Sequence, residues 1–229
     1  MTDLVIATRN KNKVRELKGM LQRSNLELNI LSLVDFPDNA EVAEDGRSFS
    51  ENAAKKALSV ARATGKLAIG DDSGLEVDAL AGRPGVLSAR FSGEGATDKE
   101  NNEKLLALLR DIPERRRQAR FVCYIAIANP ERLIDVVEGS CPGIVVLRER
   151  GSSGFGYDPL FQPIEYNKTF AELPPRIKNR ISHRARAMEK ALMALEKYLY
   201  QAEIKDQQSP ISGAKGQDRR DNKPRIPKF

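Results

Sequence analysis

The chain has 229 residues, 40% of them hydrophobic, and a formal charge of +6, which suits one sizeable α/β domain or two lobes around a shared sheet. One histidine, two cysteines (Cys123 and Cys141) and no Cys-x-x-Cys pair exclude a multi-histidine or zinc-finger type of metal site. Residues 201–229 hold seven basic side chains against four acidic ones, so the remainder is only mildly basic and nucleic acid is not expected as a partner.

Residues 4–7 (Leu-Val-Ile-Ala) read as a buried strand, followed by the polar segment 8–13. A helix then carries Val14, Leu17, Met20 and Leu21 on one face, at intervals of three and four. Ser48 and Glu51 stand at capping-box spacing before a helix whose apolar stripe is Ala53, Ala54, Ala57, Leu58 and Ala61. Residues 67–70 read as a short strand ending on the turn-forming run Asp71-Asp72-Ser73-Gly74. Thr97 and Asp98 suit a helix start, and the apolar run 121–128 reads as a strand covered on both faces. Residues 133–138 and 144–147 read as a hairpin joined through Cys141-Pro142-Gly143, and a last helix is expected over about 182–200. Beyond Tyr200 the periodicity stops. This predicts one folded domain over 1–200 and a basic, disordered tail over 201–229. No apolar run approaches the roughly 18 residues of a membrane span, and the chain runs into a strand without a basic-then-apolar leader, so a cytoplasmic location with buried thiols is expected. Alternating helices and strands imply a mixed sheet flanked by helices.

Four constellations carry chemical interest. Thr8-x-Asn10-x-x-Lys13 puts a hydroxyl, an amide and an ammonium at a helix N-terminus, where they suit polyphosphate oxygens; ordinary capping with an exposed charge is the alternative. Glu44 and the pair Asp71-Asp72 supply hard oxygen ligands for magnesium, and a carboxylate beside such an ion can deprotonate water; a plain turn explains the pair equally well. Gly154-Phe155-Gly156-Tyr157-Asp158-Pro159 lacks the spacing of a dinucleotide fingerprint. It could lay Phe155 flat on a base while Asp158 meets a polar edge or sugar. Lys178 with Ser182-His183-Arg184 offers donors for a purine edge, although a lone histidine is more often a cap or surface residue.

At these residues the sequence resembles the inosine triphosphate pyrophosphatase family. The likeness spans about residues 3–197 and includes Ala7-Thr8-Arg9-Asn10-Lys11-Asn12-Lys13, Ser48-Phe49-Ser50-Glu51-Asn52-Ala53, Asp71-Asp72-Ser73-Gly74-Leu75-Glu76, Gly154-Phe155-Gly156-Tyr157-Asp158-Pro159 and Ser182-His183-Arg184. The resemblance implies an α/β fold with an elongated mixed sheet, two lobes and a central cleft, as a homodimer. It implies hydrolysis of ITP, dITP and XTP to monophosphate and pyrophosphate with Mg2+. Thr8, Arg9, Asn10, Lys11, Asn12 and Lys13 would hold the triphosphate, Glu44 and Asp72 the metal with support from Asp71, and Asp72 would be the catalytic base. Ser73, Phe155, Gly156, Tyr157, Asp158, Lys178, His183 and Arg184 would contact substrate. The sequence departs from the pattern at Arg9, at Ala185 and at the double proline Pro174-Pro175. Alternatives are a pyrophosphatase for other modified nucleotides, and a non-catalytic nucleotide- or RNA-binding protein on the same scaffold.

Overall fold

The computed structural model describes residues 1–37 and 42–208. Six strands form one mixed sheet in the order β2-β1-β3-β4-β5-β6: β1 Thr2–Ile6, β2 Leu28–Ser32, β3 Leu67–Val77, β4 Gln118–Ala128, β5 Leu133–Val145 and β6 Phe161–Pro163. β1 pairs in parallel with β2 and β3, and the remaining neighbours pair antiparallel. Helix α2 (Phe49–Thr64) covers one face through Ala53, Ala57, Val60 and Ala61. Helices α1 (Lys11–Leu21) and α5 (His183–Gln208) cover the other through Leu17, Leu21, Ala187 and Leu195.

A third apolar cluster gathers at the far end of the long strands. Here Leu75, Val77, Phe121 and Val145 meet Leu105 and Leu109 of the segment around α3 (Asp98–Leu108). Strands β3, β4 and β5 join this cluster to the other two, and the middle of β3 lies between the two ends. That is the elongated, two-lobed α/β arrangement expected from the resemblance.

Two sequence expectations are corrected. The run Asp71-Asp72-Ser73-Gly74 is not a turn: β3 continues through it, with Asp71 opposite Ile125 and Asp72 opposite Tyr124. β4 supplies the ladder along this run, and each polar side chain has a buried partner, so tertiary pairing overrides the turn preference. Nor is there a hairpin at Cys141-Pro142-Gly143, because β5 runs unbroken from Leu133 to Val145. The Pro142 carbonyl accepts from the Ile164 N–H at 3.1 Å. The N–H that proline lacks therefore faces the end of the three-residue β6, where the ladder stops.

Strands β2 and β6 have no counterpart in the sequence reading. Ser48 caps α2 as expected, accepting from the Glu51 N–H at 3.2 Å, but Glu51 reaches the Arg47 N–H instead of closing a capping box. Helix α5 runs to Gln208, past the boundary expected at residue 200. The rest of the expected tail, 209–229, lies outside the described residues. Gly70 is the close approach between sheet and helix: a Cβ there would collide with the Ala53 carbonyl and the Ala57 N–H of α2.

Candidate active site

One cleft between the lobes is lined by Thr8, Asn10, Lys13, Glu44, Asp72, Ser73, Phe155, Gly156, Tyr157, Asp158, Lys178, His183 and Arg184. At one end lies the start of α1. The Asn10 side chain accepts from the N–H groups of Asn12 (3.0 Å) and Lys13 (3.1 Å), and Thr8 Oγ1 accepts from the Asn10 N–H at 3.2 Å. These caps hold the segment that presents Lys13. Arg9, Lys11 and Asn12, expected to hold triphosphate, do not line the cleft; Asn12 instead accepts from Arg15 at 3.0 Å.

In the middle, β3 alternation sends Asp72 toward α2 and Asp71 toward α5. Lys56 of α2 donates to Glu44 Oε1 at 2.6 Å, to Asp72 Oδ1 at 2.9 Å and to the Asp71 carbonyl at 2.8 Å. Asn52 Nδ2 donates to Asp72 Oδ2 at 3.0 Å. Burial raises the Asp72 pKa above the ordinary carboxylate value, with the cations of Lys56 and Lys13 opposing it. Burial pushes Glu44 up as well, but the cations of Lys56, Lys13 and Arg90 together hold its carboxyl low.

Glu44 and Asp72 thus lie within reach of one ammonium. A magnesium site needs one or two carboxylates, completed by phosphate oxygens and water, and this pair fits that donor set. Asp71, expected to support the metal, does not join them. Its side chain is 1% exposed, with the Lys13 ammonium 2.5 Å from Oδ1 and Arg184 Nε 3.0 Å from Oδ2. Among the described residues, no group of three or more His, Cys, Asp and Glu side chains could hold a metal ion.

At the other end, Lys178 in α4 (Pro175–Ile181) donates to Asp158 Oδ2 at 2.5 Å and Glu16 Oε1 at 2.9 Å. The double proline places Pro174 as the cap and Pro175 as the first helical residue, a position that needs no N–H donor. Asp158 Oδ2 also accepts from the Phe155 N–H at 2.9 Å. Its carboxylate thereby fastens the loop to α4. At Gly154, φ is +84°, and a Cβ would collide with the Asp158 carboxylate, so the turn requires glycine. The Phe155 ring lies under two cations, with Lys178 Nζ 5.0 Å and Arg184 Cζ 5.7 Å from its centroid.

His183 begins α5 and stacks on Phe121, with centroids 4.6 Å apart and planes 11° from parallel. Burial, then the cations of Arg184 and Lys178, depresses its pKa well below the ordinary value, so the ring is neutral. Its buried Nδ1 has no hydrogen-bond partner among the described residues. Arg184 donates through Nη1 to Glu16 (2.6 Å) and through Nη2 to Ser73 Oγ (3.2 Å). Tyr157 Oη donates to the Ser88 carbonyl at 2.9 Å, which turns its ring into the far lobe.

Sequence reasoning did not assign Lys56, Asn52 or Glu16. A signal existed for the first two: Asn52 and Lys56 lie four residues apart on the same buried stripe of α2 as Ala53 and Ala57. A lysine or amide on an apolar stripe needs a buried partner. Glu16, on α1 between the helix start and Leu17, carried no such mark.

A family model described as the Ham1 family matches residues 4–194. The dITP/XTP pyrophosphatase of Desulforamulus reducens is 52% identical over 199 residues, covering 86% of this chain and 98% of that protein. The protein of the same name from Geobacter sulfurreducens is 52% identical over 188 residues, covering 82% and 94%. Among solved structures, a HAM1 protein from Coxiella burnetii superposes with a TM-score of 0.77 at 37% identity, covering 86% of this chain and all of that one. A nucleoside-triphosphatase / dITP/XTP pyrophosphatase from Mycobacterium abscessus gives 0.67 at 44% identity, covering 83% and 98%. With the match extending over both lobes and the cleft between them, the chain belongs to the Ham1 family.

Proposed function

We infer that this chain hydrolyses deaminated purine nucleoside triphosphates (ITP, dITP and XTP) to the monophosphate and pyrophosphate. The observation that carries this reading is the cleft itself, which opens on cationic and hydroxyl groups at one end, paired carboxylates in the middle, and an aromatic ring with base-edge donors at the other. Similarity to relatives named as dITP/XTP pyrophosphatases points the same way.

Lys13, Thr8 and Asn10 bind the triphosphate. Asp72 accepts the proton of the attacking water, and its burial shifts its pKa in the direction that makes a carboxylate a better base. Lys56 and Asn52 orient Asp72, and Lys56 keeps Glu44 ionised beside it. Magnesium, held by Glu44 and Asp72 with phosphate oxygens, would neutralise charge developing on the triphosphate. The purine stacks on Phe155. Lys178, Arg184 and neutral His183 face its edge, where a 6-keto oxygen accepts and the amino group of adenine leaves buried donors unpaired. The buried free thiols of Cys123 and Cys141 fit a cytoplasmic enzyme, and no helix among the described residues is long and apolar enough to cross a membrane. The homodimer implied by the resemblance completes the reading.

Hydrolysis of ITP in 18O-labelled water tests the chemistry. Attack at the α-phosphorus puts the label in the monophosphate; label in pyrophosphate or free phosphate contradicts the reading.

A further inference from the structure

We propose that Asp71 is a positioning residue that ties the phosphate-holding Lys13 to the base-reading Arg184. This rests on the hydrolase reading above and moves Asp71 out of the metal site. Its carboxylate sits in mid-strand on the face opposite Asp72, with 1% of the side chain exposed. One oxygen, Oδ1, lies 2.5 Å from Lys13 Nζ, an ion pair outside good hydrogen-bond angles, and among the described residues that oxygen has no other donor. The second, Oδ2, accepts from Arg184 Nε at 3.0 Å, Ser73 Oγ at 2.9 Å and Cys123 Sγ at 3.0 Å. Among the described residues, Asp71 is the one acid that ion-pairs with both Lys13 and Arg184.

The chain of contacts continues beyond it. Arg184 pairs with Glu16, Glu16 with Lys178, Lys178 with Asp158, and Asp158 holds the Phe155 N–H. A continuous set of buried and half-buried charges therefore runs from the helix start at the phosphate end to the loop at the base end. Neither cation can shift toward its ligand without changing the field at Asp71, and so at the other cation. A base that seats Arg184 well also fixes Lys13, and a base that displaces Arg184 loosens it. Such coupling is a free energy shared between two halves of one substrate, and it converts base identity into phosphate alignment.

The test measures pyrophosphate release from ITP and ATP, and inhibition by inorganic tripolyphosphate, for the wild type, Asp71→Asn and Glu16→Gln. Asp71→Asn is expected to lower the ITP-to-ATP ratio of kcat/KM about tenfold and to weaken tripolyphosphate inhibition by about as much. Its magnesium requirement should stay unchanged. Glu16→Gln should lower the ratio and weaken tripolyphosphate inhibition less than Asp71→Asn does, because it reaches Lys13 only through Arg184. The proposal is overturned if folded Asp71→Asn loses ITP and ATP turnover equally, keeps both readouts at wild-type values, or shifts only the magnesium requirement.

If Asp71→Asn does not fold, a double-mutant cycle between Lys13→Gln and Arg184→Lys replaces it. Non-additivity in kcat/KM of about fivefold or more supports the coupling, and simple additivity overturns it. Wild-type preference for ITP over ATP tests the proposed function, and the response of that preference to Asp71 tests this inference, so the two fail separately. If the wild type shows no turnover, calorimetric binding of the same ligands gives the same comparison.

Discussion

Lys56 and Lys178 are both buried lysines on helices, and each bridges two carboxylates: Glu44 and Asp72 for the first, Glu16 and Asp158 for the second. In both clusters burial raises the aspartate pKa, while the neighbouring cations hold the glutamate low. The clusters differ in what surrounds them. Glu44 keeps 35% of its side chain exposed, whereas Glu16 keeps 11% and Asp158 only 3%. Arg184 further braces Glu16, and the Phe155 N–H braces Asp158. The middle of the cleft thus has a carboxylate open to exchange its partner, while the base end is locked before any ligand arrives. Under the proposed function, exchange suits charges that would meet a metal ion and a triphosphate, and rigidity suits discrimination between a keto and an amino group, which needs donors that cannot relax toward the wrong base.

The largest expected effect falls on the open cluster. Asp72→Asn should fold normally, by thermal unfolding, and lose about 10³-fold in kcat; turnover near the wild-type rate would remove Asp72 from the role of base. Next comes Lys178→Ala, which should reduce the ITP-to-ATP preference about tenfold or more. It leaves Glu16 and Asp158 buried without their ammonium, so it should also cost about 3 kcal/mol of stability. Lys56→Ala should cost distinctly less, because Glu44 can turn to water. Equal losses in urea denaturation would contradict the contrast between open and locked clusters.

A smaller, graded effect comes from His183 at the locked end. Its folded pKa is depressed below the ordinary 6.5, so below that pH the unfolded chain binds a proton that the native state does not. Stability is therefore greatest above pH 6.5 and falls by up to about 1.4 kcal/mol per pH unit beneath it, until the folded pKa is reached. Melting temperatures from pH 7.5 to 5 should show this decline, and His183→Gln should flatten it. An unchanged slope in that variant would mean that other groups carry the pH dependence.

These features were unequally legible in the sequence. The helices α1, α2 and α3 could be read from apolar spacing and capping residues, because those signals are local. The continuation of β3 through Asp71-Asp72-Ser73-Gly74 could not, since it depends on β4 pairing alongside and on Lys56, Asn52 and Arg184 arriving from α2 and α5. Pro142 and Gly143 suggested a hairpin for the same reason: local turn chemistry was visible, whereas the short β6 that makes Pro142 harmless was not. At the cleft, Lys13, Glu44, Asp72 and Phe155 stood in recognisable motifs. The direction each aspartate faces is set by strand alternation, which a misplaced strand end conceals. Glu16 and Lys56 act through partners distant in sequence, 168 and 16 residues away in Arg184 and Asp72.

The central claim is that one cleft joins phosphate chemistry to keto-purine recognition, and pyrophosphate release from ITP, XTP, dITP, GTP and ATP, with and without magnesium, tests it most directly. The account predicts strong magnesium-dependent release from ITP, XTP and dITP and little from ATP. Comparable release from ATP would contradict the base-reading half, and negligible release from every substrate, by protein shown to be folded, would contradict the assignment of hydrolysis itself.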